Sequence, residues 1–169
     1  PSIIQLSNYE RSPSVTMDTG KKYMLLSYRS TYKTLDDLNQ QEISIGGLRI
    51  NPVTNIATST TYINNLKVRR LKDLEPIQVK NLPANPRIAN VSWSPDETKI
   101  AFTHTSAKGV ELWLLDIATA QAQRLTEPVV NANLGSPLNW YRDSKHILVR
   151  LLPKNRPALH DAKKDLPTG

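Results

Sequence analysis

The chain has 169 residues, of which 12 are proline, none is cysteine and 38% are hydrophobic. The lack of cysteine excludes disulfides, thiolate metal sites and cysteine nucleophiles, and the many prolines argue against a coiled coil or helical bundle. The 22 Lys and Arg outnumber the 15 Asp and Glu, which gives a net charge of +7. Such an excess attracts nucleic acids or acidic ligands in general, whereas no stretch is apolar enough to span a bilayer.

Strand signals dominate the first half of the chain. The turn Asp18-Thr19-Gly20-Lys21 precedes an apolar run at residues 23–28, which indicates a β-strand. Residues 34–38 combine an N-cap threonine, two early acids and two leucines three residues apart, which predicts one or two turns of helix. Apart from a basic run at residues 67–72 and the C-terminal tail, the cations are scattered along the chain. We therefore expect no nucleic-acid partner.

The second half predicts further strands. The runs at residues 100–103 and 112–117 flank the polar turn Ser106-Ala107-Lys108-Gly109, a pattern typical of a β-hairpin. A third run at residues 147–152 stops at Pro153. The segment 153–169, with three prolines, is predicted to be an extended tail.

An internal repeat connects these strands. Trp93 is followed by Asp96 and Ile100 at the same offsets at which Trp140 is followed by Asp143 and Ile147, 47 residues later. A weaker third copy places Val15 at the tryptophan position, with Asp18 in the turn and one extra turn residue. In each copy the aspartate is expected to cap the backbone N–H groups of a tight turn, and the tryptophans, with Trp113, are expected to pack in the core.

A spacing in the forties with several short strands per unit is typical of a β-propeller blade. The sequence therefore predicts an all-β fold. We expect a partial β-propeller of two to three four-stranded antiparallel blades over residues 1–152, with an insertion at about 30–80. A β-sandwich whose two hairpins resemble each other by chance is the alternative.

The repeat also resembles a known family. The residues Trp93-Ser94-Pro95-Asp96 with 100–102, followed by the segment 112–126, are similar to the propeller repeats of the prolyl oligopeptidase family of serine peptidases. TolB-type periplasmic propellers have a similar repeat. The segments 46–55 and 138–154 resemble the N-terminal part of the glutamyl endopeptidase-like branch, and the resemblance extends over roughly residues 13–169.

The resemblance implies a C-terminal α/β-hydrolase domain with a serine nucleophile in Gly-x-Ser-x-Gly. None of the six glycines brackets a serine in this way, so we expect a non-catalytic N-terminal fragment that gates and selects peptide substrates for a catalytic domain outside this chain. A periplasmic or secreted parent protein is expected from the same resemblance. The alternative is a TolB-like propeller that binds another protein and has no peptidase activity.

Arg49 and Asn51 are the candidate substrate-binding residues. Gly46 and Gly47 before them and Pro52 after them indicate sharp turns, and a peptidase that prefers acidic residues needs a fixed cation such as the guanidinium fork of arginine. The alternative is that Arg49 forms an internal salt bridge or lies in a solvated loop.

Other sites are not expected. Ser30 and Lys33 match a Ser-x-x-Lys pattern without the partner motifs of that enzyme class. His104, His146 and His160 have no shared ligand spacing, so neither a metal nor a cofactor is expected. Because an incomplete propeller leaves sheet faces and edges uncovered, we expect self-association. A membrane partner is not expected.

Overall fold

The computed structural model describes residues 11–157. This part of the chain contains twelve short strands and one four-residue helix. The elements are β1 (Ser14–Met17), β2 (Tyr23–Tyr28), α1 (Leu35–Leu38), β3 (Ile43–Ile45), β4 (Leu48–Ile50), β5 (Asn65–Arg70), β6 (Ile77–Gln78), β7 (Ile88–Trp93), β8 (Lys99–Ser106), β9 (Gly109–Asp116), β10 (Gln121–Arg124), β11 (Leu138–Trp140) and β12 (Ile147–Val149).

The strands form two four-stranded antiparallel sheets followed by a hairpin. The first sheet has the order β1-β2-β5-β6 and the second the order β10-β9-β8-β7, so each follows the chain from one edge to the other. We call these sheets the first and second blades, and the paired strands β11 and β12 the third-blade hairpin. The all-β partial propeller is therefore confirmed, with two complete blades and one hairpin in the described residues.

The insertion lies in the first blade and is shorter than predicted. It runs from the end of β2 to the start of β5, over residues 29–64, and contains α1 and the β3–β4 hairpin. Residues 65–70 and 77–78 instead complete the first blade, because Leu66 and Val68 of β5 are buried and β5 pairs with β2 along its whole length. The predicted helix is present, and Thr34 and Asp37 form a capping box at its start.

The second blade is covered by hydrophobic side chains on both faces. Ile100 and Phe102 of β8 are fully buried in a cluster shared with Leu25, Leu66 and other residues of the first blade. Ala101, between them in sequence, belongs to a second cluster with Leu138 and Trp140 of the third-blade hairpin. This alternation follows from the strand period of two and places the second blade between its two neighbours.

The register of the strands defines the repeat more closely than the sequence did. Trp93 pairs with Ile100, Trp140 with Ile147 and Met17 with Met24. Met17, and not Val15, therefore occupies the tryptophan position of the first blade, and the turn has no extra residue.

The three turns have the same backbone shape. Lys21, Glu97 and Ser144, each four residues after the Met17, Trp93 or Trp140 position, have φ angles of 51°, 58° and 57°. In the second and third copies Asp96 and Asp143 accept hydrogen bonds from the backbone N–H groups two residues further on. In the first blade, Gly20 occupies the position of these two aspartates.

Asp18 replaces a different residue of the repeat. Its position corresponds to Ser94, and its carboxylate accepts the backbone N–H of Tyr23 as the Ser94 hydroxyl accepts that of Lys99. One side chain therefore caps this turn from a position that the sequence alignment did not assign to it.

The repeat tryptophans connect neighbouring blades at the edge of the core. The indole N–H of Trp140 donates to the backbone oxygen of Ser92 at 3.2 Å, and that of Trp93 lies 3.3 Å from the hydroxyl oxygen of Thr16. Thr16 and Ser92 each precede the tryptophan position of their own blade, so the two contacts join equivalent positions, although the acceptor is a hydroxyl in Thr16 and a backbone oxygen in Ser92. Both indoles are mostly buried and pack against the hydrophobic clusters on the two faces of the second blade, as the repeat predicted.

Replacing these indoles tests the contacts between blades. We expect Trp140→Phe to lower the free energy of unfolding by about 1 kcal/mol, because the hydrogen bond to Ser92 is lost. Trp93→Ala should cost about 2–3 kcal/mol, less than for a fully buried aromatic side chain. Urea unfolding followed by far-ultraviolet circular dichroism measures both, and an unchanged unfolding free energy in Trp140→Phe would contradict the assignment.

Candidate functional site

Arg49 lies on the exposed hairpin of the insertion. The β3–β4 turn consists of Gly46 and Gly47 with φ angles of 54° and 83°, a conformation that glycine adopts without strain. The Arg49 side chain is 73% exposed and its closest carboxylate is Glu42 at 3.6 Å. An ion pair this exposed contributes little to stability, so the guanidinium remains accessible to a ligand.

Asn51 serves the turn that follows. It is buried, and its side-chain oxygen accepts the backbone N–H groups of Val53 and Thr54 at 2.9 and 3.0 Å. This Asx turn shapes the loop after β4. Of the two candidate residues, Arg49 is the one that presents a charge to solvent, and the substrate-binding role of both stays a prediction.

A separate polar cleft of about 660 Å³ lies between the insertion and the connection at residues 85–87. Its walls come from residues 30–40, 58–64 and 85–87, together with Arg11. Neither Arg49 nor Asn51 lines it, whereas Ser30 and Lys33 do. No motif in the sequence predicts this cleft, although the threonine-rich runs in residues 31–34 and 58–61 are a compositional signal for it.

Arg87 joins the walls of the cleft. Its guanidinium binds the Asp37 carboxylate at 2.9 Å and lies 4.3 Å from the centre of the Tyr62 ring. Asp37 in turn accepts hydrogen bonds from the backbone and hydroxyl of Thr34. The Nε–H of Arg87 is buried and has no acceptor among residues 11–157, so one donor of the fork is unused.

His104 lies behind Arg87 in the second blade. Its Nδ1 accepts the backbone N–H of Arg87 at 3.2 Å, and its ring meets the Trp113 ring edge-on. Burial lowers the pKa of His104 below its ordinary value, and the nearby charge of Arg87 lowers it further, while the Glu111 carboxylate on the neighbouring strand raises it. The neutral imidazole is therefore favoured in the folded protein.

The basic run at residues 67–72 does not form one surface. Val68 is buried in the core between the blades, Arg70 donates to the backbone oxygen of Ala118, and the face of the first blade that lies away from the second carries Lys67 and Arg69. The strand registers place Lys67 and Arg69 where the second blade has Trp113 and Leu115. The run is thus divided between two faces of a sheet, which does not favour a phosphate-backbone interface.

The described residues contain neither a cluster of metal ligands nor a membrane-spanning helix. Within residues 11–157, no three His, Asp or Glu side chains are grouped so that they could hold a metal ion. His160 lies outside the described residues. The four-residue helix α1, the one helix within residues 11–157, is too short to cross a membrane.

Comparison with known proteins gives a distant likeness to a peptidase. No protein-family model matches the chain. A chloroplastic protein of Oryza sativa subsp. japonica named as a glutamyl endopeptidase is 28% identical over 171 residues, and the match covers 93% of this chain. The chain spans 18% of the length of that relative.

Two solved structures resemble this chain at low sequence identity. A TolB protein of Agrobacterium tumefaciens is 11% identical, with a TM-score of 0.32 over 70% of this chain and 47% of its own. A protein of Bacteroides fragilis described as a 6-phosphogluconolactonase is 11% identical, with a TM-score of 0.37 over 88% of this chain and 49% of its own.

The burial of His104 predicts that stability falls on acidification. Since its folded-state pKa is lowered, the unfolded chain binds more protons below about pH 6.5, and the free energy of unfolding should decrease as the pH falls from about 7 to 5. His104→Gln should flatten this dependence. Equal pH profiles for His104→Gln and the unaltered chain would contradict the prediction.

Proposed function

We propose that this chain is the propeller segment of a serine peptidase and that it controls which peptides reach a catalytic domain elsewhere in the protein. The observation that carries the proposal is the match to the rice glutamyl endopeptidase, because it covers 93% of the chain and so includes the blades and the insertion alike. The partial propeller of two blades and a hairpin supports the same assignment.

The chemistry of the chain supports a selecting role and not a catalytic one. The sequence has no Gly-x-Ser-x-Gly, the motif that presents the serine nucleophile in α/β-hydrolases. A nucleophile and its base would therefore come from an α/β-hydrolase domain, and we expect no hydrolysis by the 169-residue chain alone.

The segment would select peptides by their charge. The net charge of +7 favours the approach of acidic peptides, and Arg49 offers an exposed guanidinium on a hairpin with a tight glycine turn. A guanidinium binds a carboxylate through two parallel hydrogen bonds. We propose Arg49 as the residue that favours peptides with an acidic side chain, in a parent protein that is periplasmic or secreted.

The test uses the longer protein encoded by the gene that contains this chain. A serine-directed fluorophosphonate should label it at a serine outside the 169 residues, and the same reagent should abolish hydrolysis of a glutamate-containing peptide. Arg49→Gln should lower kcat/KM for the glutamate peptide by about threefold to tenfold, mainly through KM. Activity on a matched glutamine peptide should change little.

The control is Lys108→Gln, which removes a charge from the exposed β8–β9 turn. If it lowers kcat/KM for the glutamate peptide as much as Arg49→Gln does, overall charge and not Arg49 sets the preference. A longer protein that neither reacts with the fluorophosphonate nor hydrolyses peptides would contradict the peptidase assignment and would favour a propeller that binds other proteins.

A further inference from the structure

The cleft between the insertion and residues 85–87 has the construction of a binding site. Its volume of about 660 Å³ lies within the range of roughly 300–1,000 Å³ that small-ligand pockets occupy. Gln40 donates from its side chain to the backbone oxygen of Thr58 at 3.1 Å, and Asn64 donates to the Ser30 hydroxyl at 3.0 Å. These bonds join segments distant in sequence, so the walls are held in place without a ligand.

The charges along the cleft are unevenly paired. Asp37 is neutralised by Arg87 and accepts hydrogen bonds from Thr34. Lys33 and Arg11 are exposed, and the structure gives neither of them an ion pair with a residue of the range 11–157. Asp36 is the remaining acid of the lining, so the cleft has one more free positive charge than negative.

The uncharged groups of the lining are suited to a peptide backbone. The hydroxyls of Thr60 and Thr61 and the side-chain amide of Asn85 line the walls together with the Tyr32 ring, whereas the hydroxyls of Thr34 and Thr58 already donate to Asp37 and Glu42. Hydroxyls and amides both donate and accept, as the alternating N–H and C=O groups of an extended peptide require. The exposed aromatic ring adds apolar contact area at one wall.

We propose that this cleft binds an acidic peptide, with Lys33 and Arg11 holding a side-chain carboxylate and the hydroxyls and amides of the walls binding the peptide backbone. The choice of a peptide as ligand rests on the proposed function. The site itself differs from the Arg49 hairpin, and it places a second cation-lined contact for the substrate in the first blade.

Binding is measured on the 169-residue chain, without catalysis. The probe is an acetylated and amidated Ala-Glu-Ala-Glu tetrapeptide, with the Ala-Gln-Ala-Gln and Ala-Lys-Ala-Lys peptides for comparison. Titration followed by amide chemical shifts should move resonances of residues 30–34 and 58–64, with a dissociation constant of about 0.1–1 mM. The glutamine and lysine peptides should bind at least about fivefold more weakly.

Substitutions at three exposed positions distinguish binding in the cleft from attraction by the net charge of the chain. Lys33→Gln should weaken binding of the glutamate peptide by about threefold to fivefold, because an exposed ion pair is lost. Asp36→Asn should tighten binding by about twofold, since a repelling charge is removed. Lys108→Gln, which removes a positive charge outside the cleft, should leave the affinity unchanged.

Other outcomes overturn the proposal. They are shifts confined to residues outside the cleft, equal binding of the glutamine peptide, preference for the lysine peptide, and equal weakening by Lys33→Gln and Lys108→Gln. Because no activity is measured, such a result leaves the serine labelling of the longer protein unaffected. Conversely, a longer protein without a reactive serine leaves binding to the cleft intact.

Discussion

The rest of the structure depends on the second blade being buried on both faces. Strand β8 contributes Ile100 and Phe102 to the first blade's side and Ala101 to the third-blade hairpin's side, and all three are fully buried. A four-stranded sheet that is apolar on both faces is stable in water only when both faces are covered. The first blade and the third-blade hairpin supply this cover, and the repeat places one tryptophan at each boundary.

The site residues follow from this arrangement. Since β2 and β5 are neighbours in the first blade, the 36 residues between them, 29–64, must leave the sheet and return to it. That excursion carries both the Arg49 hairpin and two of the segments that form the cleft, residues 30–40 and 58–64. The connection from the first to the second blade runs past the insertion. It brings Arg87 against Asp37, and this contact closes the cleft. Within residues 11–157 the blades are thus apolar and repetitive, whereas most of the polar lining of the cleft lies on the insertion.

The sequence revealed the parts of the fold that are local or periodic. The equal offsets of Trp93 and Trp140, the hairpin at residues 106–109 and the capped helix at residue 34 all depend on residues close together in the chain. The alignment of the first blade was wrong by two residues because Asp18 resembles Asp96 in type but occupies the position of Ser94. A side chain that caps from a different turn position is invisible without the backbone.

The cleft could not have been derived in this way. Its walls come from residues 30–40, 58–64 and 85–87, and only the pairing of β2 with β5 and the Arg87–Asp37 bond bring them together. The basic run at residues 67–72 shows the opposite case, because a dense charge cluster in sequence is divided between sheet faces. Periodicity indicated the elements, but which polar groups meet depends on tertiary contacts that have no short-range signal.

The most direct test of the account is native-state hydrogen exchange of the Phe102→Leu variant. This change removes packing from the core shared by the first two blades and should lower stability by about 1 kcal/mol. If the blades depend on each other, the protection of the Leu25 and Val68 amides in the first blade should fall by the same factor as that of Ile100 in the second. Unchanged protection in the first blade would contradict the claim that the second blade supports it.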